Sequence, residues 1–308
     1  MTSNPINGVV PIIPIPFNED ESIDTTSLRR TVDWVATKTL AGMCLPAYGS
    51  EFYKLSEAER EEVIGTAIEV NAQRIPLIAQ ANHGSSKIAV TMAKRYVQLG
   101  ADIISFALPR QFAASETDLL RYCGQIADAV SVPILIQDLN PGRPTMDANF
   151  IHTLHRQHPN FRYAKLEEPM LIDKLVDIRE RVGDDVGILE GWGGYYMLEA
   201  IPVGICGIMP GVAIADLLDR VYQARQENRN EEAYDLFALL LPYINFSLQD
   251  FELFLQVEKR LLVHRGLFGS SLCRSLTLSP SPAMLEYTNF LLDQIMRILQ
   301  TGEKAASS

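Results

Sequence analysis

Lys165 stands inside a short β-rich run, Arg162-Tyr163-Ala164-Lys165-Leu166-Glu167. Side chains alternate across a strand, so Tyr163, Lys165 and Glu167 share one face while Ala164 and Leu166 share the other. The small apolar pair suits packing against helices, which leaves the polar three facing an interior. A buried ammonium is costly unless paired, and desolvation favours the free amine. That amine is the nucleophile needed to form an imine with a carbonyl substrate. A second reading needs no chemistry: Lys165 as a strand-tip lysine paired with Glu167 or Glu168, since structural ion pairs also perturb titration.

Three other segments carry groups that could hold a ligand. In Ala47-Tyr-Gly-Ser-Glu51, Gly49 and Ser50 offer backbone N–H groups and a hydroxyl with little bulk, as a carboxylate requires; the alternative is an ordinary strand-to-helix turn. In Gln137-Asp-Leu-Asn-Pro-Gly-Arg143 a turn signal carries Arg143, either a bidentate carboxylate partner or a solvated side chain. In Glu190-Gly-Trp-Gly-Gly-Tyr195, Gly193 and Gly194 permit close backbone approach to a ligand, and Trp192 walls a pocket or packs in a core. His83 is either an acid–base group or a satisfied structural histidine. No HExxH, CxxC, P-loop or nucleophile-elbow pattern is present, so metal hydrolase, P-loop and serine esterase chemistry lack local support.

The elements that must position these groups alternate. Eight β-rich runs start near Val9, Gly42, Pro76, Ala101, Pro133, Arg162, Val186 and Gly204, separated by stretches of helical period. That is the pattern of β-α-β units around a parallel sheet whose strands are buried on both faces. Ser56 with Glu59 predicts a capping box, and the stripe Ile88, Met92, Tyr96 ends at Gly100, a natural αL terminator. Leu119, Leu120, Cys123, Ile126 and Val130 form a further stripe. Beyond Val212 the rest reads as helices, broken at Pro280–Pro282. A doubly wound sheet would also alternate, but Val9–Phe17 is followed by Asn-Glu-Asp-Glu-Ser-Ile-Asp rather than a glycine-rich dinucleotide loop. The expected fold is therefore an α/β protein, a (β/α)8 TIM barrel over residues 1–225 with a C-terminal helical extension over 226–308.

Composition narrows the partners. The 308 residues carry a formal net charge of −11, which argues against nucleic acid or an anionic membrane as partner. Cys44, Cys123, Cys206 and Cys273 fit neither a metal site nor a disulfide framework and read as reduced core thiols. No basic signal start and no membrane-length apolar run is present, so the expected location is cytoplasmic.

Taken in order, these segments resemble the dihydrodipicolinate synthase and N-acetylneuraminate lyase family over nearly the whole chain. Gly8–Asp24 is similar to its first strand and loop. Gly49–Glu61 resembles its Gly-Thr-Thr-Gly-Glu turn and the Leu-Ser/Thr-x-x-Glu-Arg helix start, with Glu51 and Leu55 in register. Val132–Thr145 resembles its fifth strand and Pro-x-Arg turn, and Tyr163–Glu168 its Schiff-base strand. The resemblance implies a covalent Lys165 imine with a small 2-oxo acid, no metal and no separate cofactor, and a homo-oligomer, dimer or tetramer. It places the substrate carboxylate at Gly49 and Ser50 and a second acidic group at Arg143. Two positions depart from the synthase pattern: Gln137, followed by Asp138, stands where a proton-shuttling tyrosine is found, and Arg110 follows Pro109 where a second tyrosine does. The Gln-Asp pair and the Lys-x-Glu strand look more like the branch that dehydrates 2-keto-3-deoxy sugar acids. Gln137 can hydrogen-bond but cannot act as an acid near neutral pH, so Glu167 or Tyr48 is the candidate acid. Aldol cleavage or condensation with pyruvate is the alternative, and a ligand-binding barrel without catalysis is the alternative of another class.

Overall fold

The computed structural model describes residues 6–110, 114–140, 143 and 145–306, with side chains described as far as 301. Eight strands form one sheet: β1 (Gly8–Val9), β2 (Met43–Leu45), β3 (Leu77–Gln80), β4 (Ile103–Ala107), β5 (Ile134–Asp138), β6 (Phe161–Leu166), β7 (Gly187–Glu190) and β8 (Gly207–Ile208). All neighbours are parallel, in the order β1-β8-β7-β6-β5-β4-β3-β2. Parallel bridges from Ile12 to Cys44 and to Gly211 join the two ends, closing a (β/α)8 barrel. The run Val9–Phe17 contributes only Val9 to β1, which begins at Gly8, because Pro11, Pro14 and Pro16 have no N–H to donate.

Helices follow the strands: α1 (Thr25–Ala36), α2 (Glu57–Asn71), α3 (Ser86–Leu99), α4 (Glu116–Ala127), α5 (Ala148–Gln157), α6 (Leu171–Val182), α7 (Met197–Ala200) and α8 (Ala215–Gln226). Ser56 and Glu59 form the capping box of α2, each side chain accepting the other's backbone N–H. Gly100 ends α3 at φ +115°, a conformation that glycine adopts without steric penalty.

Alternation along the strands sorts the core into two clusters. Val10, Cys44, Ile78, Ile103, Leu135, Tyr163 and Leu189 fill the barrel, while Ala164, Leu166 and Ile188 pack between strands and helices. Tyr163 therefore points inward as its spacing requires, and its hydroxyl accepts the Ile6 N–H at 3.3 Å.

The C-terminal extension comprises α9 (Asn230–Ser247), α10 (Phe251–His264) and α11 (Pro282–Ala306), the last beginning at the expected proline break. Helix α10 ties the extension to the barrel. Its Lys259 is fully buried, paired with Glu51, and donates to Leu272 O at 2.9 Å. Its Glu258 accepts the Ala213 N–H at 2.6 Å, capping the turn that leads into α8. Burial pushes the Glu258 carboxyl up to about 7 against the pull of that hydrogen bond. Gly211 is required there, since a Cβ would lie 2.4 Å from Glu258 Oε1. Among the described residues no helix is long and apolar enough to cross a membrane.

Candidate active site

At the C-terminal end of the barrel, where barrel enzymes keep their reactive groups, β6 delivers Lys165 into a cavity of about 480 Å³. Lys165 Nζ lies 2.8 Å from Glu167 Oε1, and both side chains are buried. A second group reaches Glu167: Gln137, the inward residue of β5 paired with Lys165 in register, donates from Nε2 to the two carboxylate oxygens at 3.1 and 3.3 Å. Gln137 is held in turn by Gln80 of β3, whose Nε2 donates to Gln137 Oε1 at 2.7 Å. The result is a polar row across the barrel, Gln80–Gln137–Glu167–Lys165. Gly191 makes room for it. A Cβ at that position would sit 2.5 Å from Glu167 Cγ and 2.6 Å from Lys165 Cε.

Tyr48 joins the wall of the same cavity, edge-on to Phe52 and Phe251. Desolvation, and then the nearby Glu167 charge, raise its phenol above the usual range, so it remains a proton donor at neutral pH. Gly49 and Gly193 line the cavity as expected, and Trp192 forms part of its wall.

Three expected ligand-binding residues sit elsewhere. Ser50 is buried behind the wall, its hydroxyl donated to Ile13 O at 2.5 Å and its N–H to Ala47 O at 2.9 Å. Gly194 faces Ile208, Leu218 and Met197, on the helix side. Arg143 is exposed and outside the cavity lining, with Pro141, Gly142 and Pro144 of its turn outside the described residues. Two other polar groups lie outside the cavity lining. His83 Nδ1 accepts the Ser85 N–H at 2.8 Å, and Asp138 is bound by Arg110 through hydrogen bonds of 2.8 and 2.6 Å.

Sequence reasoning passed over Gln80, although alternation in Leu77–Gln80 places it beside the inward Ile78. It also passed over Glu190, the last residue of β7. Burial pushes the Glu190 carboxyl up to about 8, opposed by backbone hydrogen bonds from Tyr196 and Trp192 and reinforced by Glu167. Its Oε1 accepts the Trp192 N–H at 3.0 Å, which fixes the loop carrying Gly191 and Trp192. The outer cavity wall brings in a third omission, Phe251 and Phe254 of α10.

This geometry agrees with sequence comparison: the family model for the dihydrodipicolinate synthetase family matches residues 5–293. The chain belongs to that family. The L-2-keto-3-deoxyarabonate dehydratase of Azospirillum brasilense is 27% identical over 77% of this chain and 78% of that protein. The 4-hydroxy-tetrahydrodipicolinate synthase of Bartonella bacilliformis is 28% identical over 60% of this chain, which spans 63% of that relative's length. The crystal structure of dihydrodipicolinate synthase from Rhodopseudomonas palustris superposes with a TM-score of 0.87 at 25% identity, covering 94% of this chain and 98% of that one. Membership of the dihydrodipicolinate synthetase family makes the protein a lyase of the class I aldolase type, a kind that works through a lysine Schiff base on small 2-oxo acids.

Proposed function

We propose that Lys165 is the imine-forming lysine and that the protein removes water across C3 and C4 of a 4-hydroxy-2-oxo acid, the arrangement found in 2-keto-3-deoxy sugar acids. The observation that carries this reading is the Glu167 carboxylate, held between Lys165 and the Gln137 amide, where the synthase pattern has a tyrosine at position 137.

The steps balance with one carboxyl as the proton carrier. Glu167 takes a proton from the Lys165 ammonium, and the free amine adds to the C2 ketone. Protonated Glu167 then releases the carbinolamine oxygen as water, leaving an iminium. The iminium acidifies C3, Glu167 accepts the C3 proton, and an enamine forms. Electrons from the enamine expel the C4 hydroxyl, which leaves as water with the proton Glu167 has just gained. Hydrolysis of the conjugated iminium returns the amine and releases a 2-oxo-3-enoic acid. Tyr48 donates a hydrogen bond from the cavity wall. Gly49, beside it in the same turn, lets the substrate carboxylate approach backbone.

The dehydratase relative supports elimination over aldol chemistry. A homo-oligomeric, cytoplasmic enzyme is part of the same proposal. The test is incubation with 2-keto-3-deoxy acids, followed by mass analysis of the product and borohydride trapping of the protein. Loss of water with a reduced adduct on the Lys165 peptide is expected. Release of pyruvate and an aldehyde would establish the aldol reading instead, and no adduct with any 2-oxo acid would remove Lys165 from the chemistry.

A further inference from the structure

The inner and outer halves of the cavity differ in chemistry. The inner half holds the polar row that ends at Lys165. The outer half is walled by Tyr48, Leu139, Trp192, Leu248, Phe251 and Phe254. Two polar groups at this rim are engaged within the protein. Tyr53 donates its hydroxyl to Glu252 at 2.6 Å, and Asp250 Oδ1 accepts the Glu252 and Leu253 N–H groups at 2.8 and 3.2 Å as the cap of α10. Among the described lining residues Lys165 is the one cation, while Glu167 and Asp250 are acids. A second carboxylate on the substrate would meet no counter-charge and two like charges. A polyol would set most of its hydroxyls against apolar side chains.

The rim is also an exposed aromatic surface with room to spare. Phe251 is 36% exposed and lies 6.1 Å from Tyr48 and 5.9 Å from Phe254, centroid to centroid. These spacings leave edges and faces of the kind that aromatic ligands pack against. A cavity of about 480 Å³ exceeds what a five-carbon acid fills. Apolar walls with a few convergent polar groups are the ordinary make-up of a small-molecule site.

From these features we propose that the outer half of the cavity is a subsite for an apolar, preferentially aromatic, substituent carried beyond C3 of the 2-oxo acid. This rests on Lys165 as the imine-forming lysine and deepens that reading by naming the substrate's tail. Glu167 and Lys165 handle the oxo-acid head, and Phe251, Phe254 and Trp192 select the tail by burying it.

The test compares half-maximal concentrations for borohydride trapping at Lys165 by pyruvate, 2-oxoglutarate, 2-keto-3-deoxygluconate and 4-phenyl-2-oxobutanoate. The phenyl acid is expected to trap at a concentration at least about tenfold below the other three, the scale of burying one ring. In Phe251→Ser/Phe254→Ser that ratio should fall towards one. Equal trapping by pyruvate and the phenyl acid, or a preference for 2-oxoglutarate or the polyol, overturns the subsite. Should no 2-oxo acid trap, the Lys165 reading falls, and calorimetric titration with 4-phenylbutanoate against butanoate decides the subsite without any imine. Tighter binding of the phenyl acid supports it, and equal or absent heats overturn it.

Discussion

Gln80 Nε2 donates to Gln137 Oε1 at 2.7 Å inside the barrel, and this bond turns the Gln137 amide so that its own Nε2 faces Glu167. If Glu167 carries the proton as proposed, Gln80 acts as a positioning residue through Gln137. Gln80→Leu is expected to lower kcat about tenfold, the size of one net hydrogen bond, with little change in KM. Gln137→Leu should cost roughly 10²-fold, the lower end for disturbing a proton-transfer group. The double variant should be no slower than Gln137→Leu alone. Independent, multiplying losses in that double-mutant cycle would show that Gln80 has only a packing role.

Lys165 and Glu167 are both buried and 2.8 Å apart, so removing one leaves the other without its counter-charge. Lys165→Met is expected to lower unfolding free energy by about 3–5 kcal/mol. Lys165→Met/Glu167→Gln, which removes the stranded carboxylate, should recover most of that loss. Urea denaturation of the two variants checks it; equal midpoints would mean that the pair is not coupled in the folded protein.

Gly191 has no room for a side chain beside Lys165 and Glu167. Gly191→Ala should therefore push Lys165 and Glu167 out of line and lower kcat by at least about 10²-fold, as ångström-scale misplacement does. Kinetics alongside a circular dichroism melt would separate this from unfolding, and an alanine variant of near-normal rate would contradict the contact.

Glu190 gives the fold a pH dependence of known sign. Its carboxyl titrates near 8 when folded and in the ordinary range, around 4.5, when unfolded. Between those values the unfolded chain has lost the proton and the folded chain retains it, so stability declines as pH rises through that window and levels off above it. Glu190→Gln keeps an acceptor for the Trp192 N–H and has no proton to lose. Its melting temperature should fall less between pH 5 and pH 8, the difference amounting to at most about 1.4 kcal/mol per pH unit. Parallel melting curves for the two proteins across that range would rule out a buried neutral carboxyl.

The strands were legible because parallel strands covered on both faces read as continuous apolar runs: six of the eight runs contain their strand, and β1 and β6 begin one residue before theirs. The inward set Tyr163, Lys165 and Glu167 followed from alternation in the same way, whereas Gln137 was singled out through the family resemblance. Turns were harder. The segment from Gly49 to Ser50 marks where the chain bends, but the direction of the Ser50 hydroxyl depends on Ile13 of a distant run, 37 residues away. Phe251 and Phe254 lay beyond reach for a related cause. They are local to α10, three residues apart after its cap, yet their place at the mouth comes from the return of the C-terminal helices over the barrel.

Glu258 has a consequence for which molecules the barrel admits. In many (β/α)8 enzymes the loops after the last two strands and a nearby helix N-terminus form a cradle for a phosphate group. Here the corresponding N–H groups, at Val212 and Ala213, already hold the protein's own carboxylate, packed against Gly211 with no space for a side chain. The anion slot is occupied from within. A phosphate group could use that slot only by evicting a buried side chain of α10, the same one that fastens the C-terminal helices to the barrel.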